Sequence, residues 1–357
     1  MRDVLLATIP GVLVLTAYFG PGTLVNIVFG GLIAVACEYA VTAWRGRDPK
    51  VAISDLSVIV TSTLLCIALP PYAPWWLIVI GVLTSVLLGK QVFGGLGYNP
   101  FNPAMVGYVV LLISFPVQMS AWAPPRGLAE IPGLGDTLRH LFAPGTIDAV
   151  TAATPLDLLR QNTGLLFDDL MRSKPELGSW GGIGWLQTNI AFLIGGVWLL
   201  YRKIFTWHAP LAMLAALSLC ALMGYDGGSS ESGGSALFHL FSGATMFAAF
   251  FIITDPVSSA VSNHGRLIFG ALIGVLVYLI RVLGNYPDAV AFAVLILNFC
   301  APFIDHYTSP RYMARGAKTH EMAGLHWPER HRARAVRGRD VDRDRLDIPQ
   351  HQRSDRL

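Results

Sequence analysis

The 357-residue sequence has little charge. Asp, Glu, Lys and Arg make up 14% of it, where a soluble domain carries about 25%. With 53% hydrophobic residues and a mean hydropathy of +0.52, this excludes disorder for most of the chain and argues against an ordinary soluble enzyme. Cysteine is also scarce. Cys37, Cys66, Cys220 and Cys300 lie singly inside apolar runs, with no CxxC pair and no metal-ligand spacing. They behave as small apolar side chains. No Gly-Lys-Ser/Thr occurs, so the chain has no Walker loop, and it carries no dinucleotide-binding fingerprint. Any pyridine-nucleotide or iron–sulfur step must come from partners.

What the chain has instead is long apolar runs. Windows of about 20 residues, the length that spans a bilayer, give ten candidate transmembrane helices at 4–19, 24–44, 56–69, 75–88, 104–122, 186–201, 209–224, 237–254, 267–283 and 289–304. The first follows Met1-Arg2-Asp3 with no small-residue cleavage site, and is expected to be retained. Arg45, Arg47 and Lys50, then Lys90, then Arg202 and Lys203, then Arg266, and finally the basic tail follow alternate spans. The positive-inside rule puts them, and both termini, in the cytoplasm. From Arg311 onward twelve Arg/Lys face seven Asp/Glu; residues 308–357 are expected to be a solvated, disordered cytoplasmic tail. Nucleic acid is not an expected partner; membrane lipid is.

The expected fold is therefore all-α and polytopic. Residues 1–122 hold helices one to five, 123–185 form a long extracytoplasmic loop, and 186–307 hold helices six to ten. A loop of that length is usually functional or disordered; helix-like stretches such as 156–170 favour order. Asn102-Pro103-Ala104-Met105-Val106-Gly107-Tyr108 resembles Tyr286-Pro287-Asp288-Ala289-Val290-Ala291-Phe292, and Pro71 corresponds to Pro256. Either this is the chance likeness of two Pro-initiated apolar helices, or the chain is a five-plus-five inverted repeat, a plan used for transport near the membrane midplane.

Several residues are candidates for chemistry. The run Gly89-Lys90-Gln91-Val92-Phe93-Gly94-Gly95-Leu96-Gly97-Tyr98-Asn99-Pro100-Phe101-Asn102-Pro103 is either a tight turn or a ligand-contacting loop, with Gly94, Gly95, Asn99 and Asn102 as its contacts. Ser242-Gly243-Ala244-Thr245, expected inside helix eight, permits close helix packing or close approach of a planar cofactor or ion. Asp255 precedes Pro256 at the interface. Glu38 lies two turns from the end of helix two, where a carboxylate is costly. It handles a cation or proton, or pairs with a basic residue. His208, His239, Asp55 and Arg281 are weaker cases. Thr154 before Pro155 is biased to extended backbone; its hydroxyl serves as a helix cap with Asp157 or as a modification site.

Together, Lys90…Gly94-Gly95-Leu96-Gly97…Asn99-Pro100-Phe101-Asn102-Pro103-Ala104-Met105, Ser242-Gly243-Ala244-Thr245…Thr254-Asp255-Pro256 and Gly265-Arg266-Leu267-Ile268-Phe269-Gly270 resemble the RnfD component of the Rnf ion-translocating oxidoreductase complex. They resemble more distantly the NqrB component of the sodium-translocating NADH:quinone reductase. The resemblance implies a ten-helix protein of the bacterial inner membrane, relaying electrons between flavin- and iron–sulfur-carrying partners and coupling this to Na⁺ or H⁺ movement. It implies FMN joined through its phosphate to a threonine by a separate flavin transferase, and leaves room for a second, noncovalent flavin. The attachment motif maps onto Asp148, Thr151, Ala152, Ala153 and the acceptor Thr154, with Ala149 where Gly is common. Ser242 to Thr245 mimics the motif's ending but has His239 where the Asp should stand. A plain flavin-free transporter and a structural scaffold are the competing classes.

Overall fold

The computed structural model describes residues 1–143, 151–162, 164–178, 180–229, 232–284 and 289–308. Among these there is no β-sheet; the chain is all helix and connection. The membrane-type helices are α1 (Arg2–Phe19), α2 (Gly22–Trp44), α3a (Pro49–Ser54) and α3b (Ser57–Ala68), α4 (Trp75–Val86), α5 (Pro103–Ser114), α6 (Trp185–Tyr201), α7 (His208–Met223), α8a (Ala236–Phe241) and α8b, α9 (Asn263–Leu283) and α10 (Ala289–Thr308). α8b opens as one α-helical turn (Thr245–Phe247) and continues in π-helical backbone (Ala248–Ile252). Among the described residues four helices, α1, α2, α9 and α10, are by themselves long and apolar enough to cross a membrane.

These helices are apolar on nearly every side. Leu13, Val28, Leu32, Ile194, Leu211 and Phe299 face outward and are exposed, as lipid-facing positions require, while polar residues such as Asn26, Glu38, Asn102, Asn189 and Asn298 are buried. This inverts the soluble arrangement and makes the chain a membrane protein. Small residues set the packing. α1 lies against α6, and a side chain at Gly195 would run into the Ala7 carbonyl. In the same way α9 lies against α7, where Gly270 and Gly274 meet the Ala209 and Met213 carbonyls.

Contacts in the two halves correspond. Of the five pairs that a five-plus-five repeat would make mates, α1 with α6 and α5 with α10 pack on one another. Within each half the pairs correspond: α2 on α4 and α7 on α9, then α4 on α5 and α9 on α10. Both third helices are also broken at a left-handed residue. The break between α3a and α3b is at Leu56 (φ 60), and that between α8a and α8b is at Gly243 (φ 57). Tyr286, Pro287 and Asp288, part of the repeat seen in the sequence, lie outside the described residues, as does the tail beyond Thr308.

Several expected elements differ. The eighth span is not one helix over 237–254: Ser242 is extended and ends α8a, because Gly243 takes a positive φ that an α-helix cannot hold. The fifth ends at Ser114 rather than at 122, since Pro116 cannot donate into the ladder; a short helix, Pro116–Met119, follows. The fourth runs past its expected end as a π-helical turn, Leu87–Gln91. The stretch 156–170 holds two short helices, Pro155–Arg160 and Phe167–Ser173, not one.

Close backbone contact between α1 and α6 makes a simple test. Gly195→Ala is expected to lower the midpoint of thermal unfolding in detergent, at a cost of about 1–3 kcal/mol for overpacking. Gly31→Ala on α2, which meets nothing within 4 Å, is expected to be neutral or to raise it. Equal behaviour of the two would contradict the α1–α6 packing.

Candidate functional site

At one end of the bundle Thr154 begins the short helix Pro155–Arg160. Its backbone is extended (φ -70, ψ 160), as a residue before proline must be. Thr154 and Asp157 form a capping box: the Asp157 amide donates to Thr154 Oγ1 at 3.3 Å, and the Thr154 amide donates to Asp157 Oδ2 at 3.0 Å. The hydroxyl itself donates to the same carboxylate oxygen at 2.7 Å. The preceding strand of chain is pinned by Ala152, whose amide donates to the Trp122 carbonyl at 2.8 Å. Thr154 is half-buried, Thr151 is exposed, and Asp148 lies outside the described residues.

Thr154 lines a cavity of about 350 Å³ with Trp122, Asp157, Arg160, Gln161, Trp185 and Gly243 among its walls. Trp122 and Trp185 pack with 4.8 Å between ring centres. Those two rings and Gly243 also border a second, apolar chamber deeper in the bundle, reached past Asn189 and Phe247.

Asn189 organises the break in α8. Its Nδ2 donates to the carbonyls of Phe241 (3.0 Å) and Gly243 (2.8 Å), and its Oδ1 accepts the Met246 amide at 3.0 Å. One side chain thereby satisfies backbone groups on both sides of the interruption. Arg281 of α9 completes the clamp, donating to the His239 carbonyl and to Thr245 Oγ1, each at 2.9 Å. Thr245 is wholly buried, and its hydroxyl donates in turn to His239 and Ser242 carbonyls. The break in α3 shares one feature, a cation donating to the hydroxyl that follows it. Asp55 accepts the Ser57 amide at 2.7 Å and Ser57 Oγ at 2.6 Å, and Lys90 Nζ donates to Ser57 Oγ at 2.8 Å.

Lys90 is also the partner of Glu38, Nζ to Oε1 at 2.8 Å, with both side chains about 2% exposed. Glu38 is thus paired with a basic residue. Lys90 itself does not mark a solvent-facing loop, as its place after the fourth span suggests; it points inward from the π-helical turn. It borders a cavity of about 180 Å³ at the end of the bundle away from Thr154, together with Ser57, Asn99, Asn102 and Asp255. Asn102 caps α5 through its Oδ1, accepting the Ala104 and Met105 amides, and its Nδ2 reaches the Ile252 carbonyl at 3.3 Å. Its own amide donates to Asn298 of α10 at 2.9 Å, and Asn298 bonds the Ser258 carbonyl at 3.1 Å. Asp255 accepts Ser258 Oγ at 2.6 Å.

The glycine run thus divides. Gly94, Gly95 and Gly97 have φ values of 108, 112 and 92 and form the turn, held by Arg47 donating to the Gly94 carbonyl at 2.9 Å. Asn99, Asn102 and Lys90 are the polar members of the run that line the cavity, beside Leu96 and Pro103. Ser242 is buried at the α8 break and lines neither cavity. Asn189, Asn298 and the role of Arg281 were not anticipated. The available signal was a lone Asn within each of two apolar runs, where a buried amide demands partners.

An all-α membrane body with two broken helices and a cavity at each end is suited to placing something inside a bilayer. The chain belongs to the NQR2, RnfD, RnfE family, whose model matches residues 1–314. It is 53% identical over 317 residues to the D subunit of the ion-translocating oxidoreductase complex of Cellvibrio japonicus, covering 87% of this chain and 89% of that one. The D subunits of the same complex from Pseudomonas aeruginosa PAO1 (52% over 326 residues, 91% and 94% covered) and Escherichia fergusonii (47% over 326 residues, 87% and 92% covered) are similar.

Removing Lys90 would strand a buried carboxylate, which costs about 3–5 kcal/mol. Lys90→Met is therefore expected to lower the yield of monodisperse protein and its unfolding midpoint sharply. The double variant Lys90→Met, Glu38→Gln is expected to recover most of the loss. If the double variant is as damaged as the single one, charge compensation is not what Lys90 does.

Proposed function

We propose that this chain is the FMN-carrying membrane component of an Rnf-type complex of the bacterial inner membrane, with FMN joined through its phosphate to Thr154. It passes electrons between partner subunits that handle the NADH and ferredoxin couple, and its helical body couples that transfer to Na⁺ or H⁺ movement. The names of the relatives support the complex; the observation that carries the site is the contrast between two threonines. Thr154 offers its hydroxyl at the mouth of a cavity, while Thr245 is enclosed by Arg281 and two carbonyls.

The residues present fit the group. The cavity beside Thr154 lies within the ~300–1,000 Å³ of small-molecule sites, Trp122 and Trp185 offer aromatic walls, and Arg160 and Gln161 suit a phosphate. A bound flavin supplies exchange between one- and two-electron carriers. The chain's own part is to tether it at Thr154, to keep it at the aromatic walls and to exclude water from the apolar chamber behind. The cavity at the opposite end has donors in Lys90 and Asn102 and acceptors in Asn99 and Asp255. At about 180 Å³ it is small for a whole flavin, so one covalent FMN per chain is expected. Glu38, paired with Lys90 beside this cavity, is the proposed ion-path carboxylate. Placing both termini in the cytoplasm rests on the distribution of Arg and Lys.

The chain, produced with its flavin transferase, should fluoresce in a denaturing gel, and fluorescence should vanish in Thr154→Val but persist in Thr245→Val. Loss only in Thr245→Val would move the tether. No fluorescence in the native chain, beside a labelled positive control, would favour a flavin-free transporter. Glu38→Gln in the assembled complex is expected to uncouple ion movement from electron transfer in membrane vesicles; full pumping would remove Glu38 from the path.

A further inference from the structure

The Thr154–Asp157 pair contains one hydrogen bond more than a helix cap needs. A capping box is complete with two amide donors, and both are present: Asp157 to Thr154 Oγ1 at 3.3 Å and Thr154 to Asp157 Oδ2 at 3.0 Å. The added contact is Thr154 Oγ1 to Asp157 Oδ2 at 2.7 Å, the usual length of a hydroxyl donating to an oxygen acceptor. It fixes the hydroxyl proton on a base and leaves an oxygen lone pair free to turn toward the cavity that both residues line. The turn that holds the pair is stiff. Pro155 and Leu156 are buried, and Pro155 presses against Gly182, where a side chain could not be added without collision.

We infer that Asp157 is the general base of the modification of Thr154, so that this chain supplies part of the catalytic machinery for its own flavin attachment. The inference rests on Thr154 being the acceptor. A phosphate monoester is not an activated phosphoryl group, so the donor must carry FMN in a phosphoanhydride, as a flavin dinucleotide does. Thr154 Oγ1 attacks the flavin-bearing phosphorus, and its proton passes to Asp157 Oδ2. The new O–P bond replaces the anhydride P–O bond, and the nucleoside monophosphate leaves with the electron pair. Asp157 then gives its proton to solvent. Nothing is oxidised or reduced. Arg160, one turn further along the same wall, is placed to meet the negative charge of the resulting diester.

The test is the initial rate of flavin incorporation into the purified full-length chain, with purified flavin transferase and FAD, read by in-gel fluorescence and intact mass. Asp157→Asn keeps an acceptor for the Thr154 amide, and so keeps the cap, but cannot take the proton. Its rate is expected to fall by about 100-fold or more, the usual contribution of a positioned base. The gap from the native chain is expected to narrow as pH rises and hydroxide substitutes for the missing base. Thr154→Ser, which retains hydroxyl and carboxylate, is expected to label at a rate within a few-fold of native. An Asp157→Asn chain that labels at the native rate across the pH series overturns the base role while leaving Thr154 as acceptor. Labelling that survives Thr154→Val overturns the underlying assignment instead. Unchanged elution and unfolding midpoint of Asp157→Asn guard against a folding defect, and if they change, Asp157→Glu, which restores a carboxylate, must recover labelling for the inference to stand.

Discussion

A helix that breaks inside an apolar body leaves backbone amides and carbonyls without partners, and water is not there to take them. Among the described residues two helices, α3 and α8, are broken in this way, and several buried polar side chains gather at those interruptions. Asn189 bridges the α8 break from the neighbouring helix, Arg281 reaches it from α9, and Lys90 reaches the α3 break from the end of α4. Each cation donates to a hydroxyl on the first turn after its break, Thr245 in one case and Ser57 in the other. The correspondence is what an inverted repeat would produce. It also explains why costly buried charges are retained. A cation can compensate several carbonyl and hydroxyl oxygens at once, which an apolar replacement cannot.

The class of fold was legible because hydropathy integrates over twenty residues. The breaks were not legible for the same reason. In the eighth span, Ser242 and Gly243 are outvoted by the apolar residues on either side, so an averaged window returns one continuous helix. Only the geometry of Gly243, with its positive φ, separates the two arms. Charge counting had a similar limit. Lys90 satisfies the positive-inside pattern by position, yet its side chain turns inward to Glu38, because a lysine on a π-helical turn has a stem long enough to reach the preceding helices. The pairing alternative for Glu38 was open from sequence; its partner lay 52 residues away and needed the fold to be found.

Among the flavin-site candidates, sequence pattern separated residues well only where local rules apply. Thr154 before a proline, with an Asp three residues on, is a cap by local rules, and the cap is there. Gly94, Gly95 and Gly97 form the turn that glycine-rich segments commonly form, while Asn99, Asn102 and Lys90 line a cavity, and the placement of Asn102 depends on α10 and α8. Asn298, itself bonded to the Ser258 carbonyl, holds Asn102 from far along the chain, and nothing local announces such a contact.

The two threonines end similar short patterns in opposite surroundings. Thr245 accepts from Arg281 and donates to backbone carbonyls at the α8 break. Esterifying that oxygen would remove its donated hydrogen bonds in a place where no water can replace them, a loss of about 1–3 kcal/mol for each group left unsatisfied, and would push a bulky group into a closed interior. Thr154 donates only to Asp157, and the Asp157 amide that its oxygen accepts can still reach that oxygen after the proton is gone. Esterifying it would therefore break one bond, to a carboxylate that retains the Thr154 amide as a donor. The position that tolerates substitution at oxygen is the one where the hydroxyl belongs to a cap at the rim of a cavity, and the position that forbids it is the one where the hydroxyl holds a broken helix together.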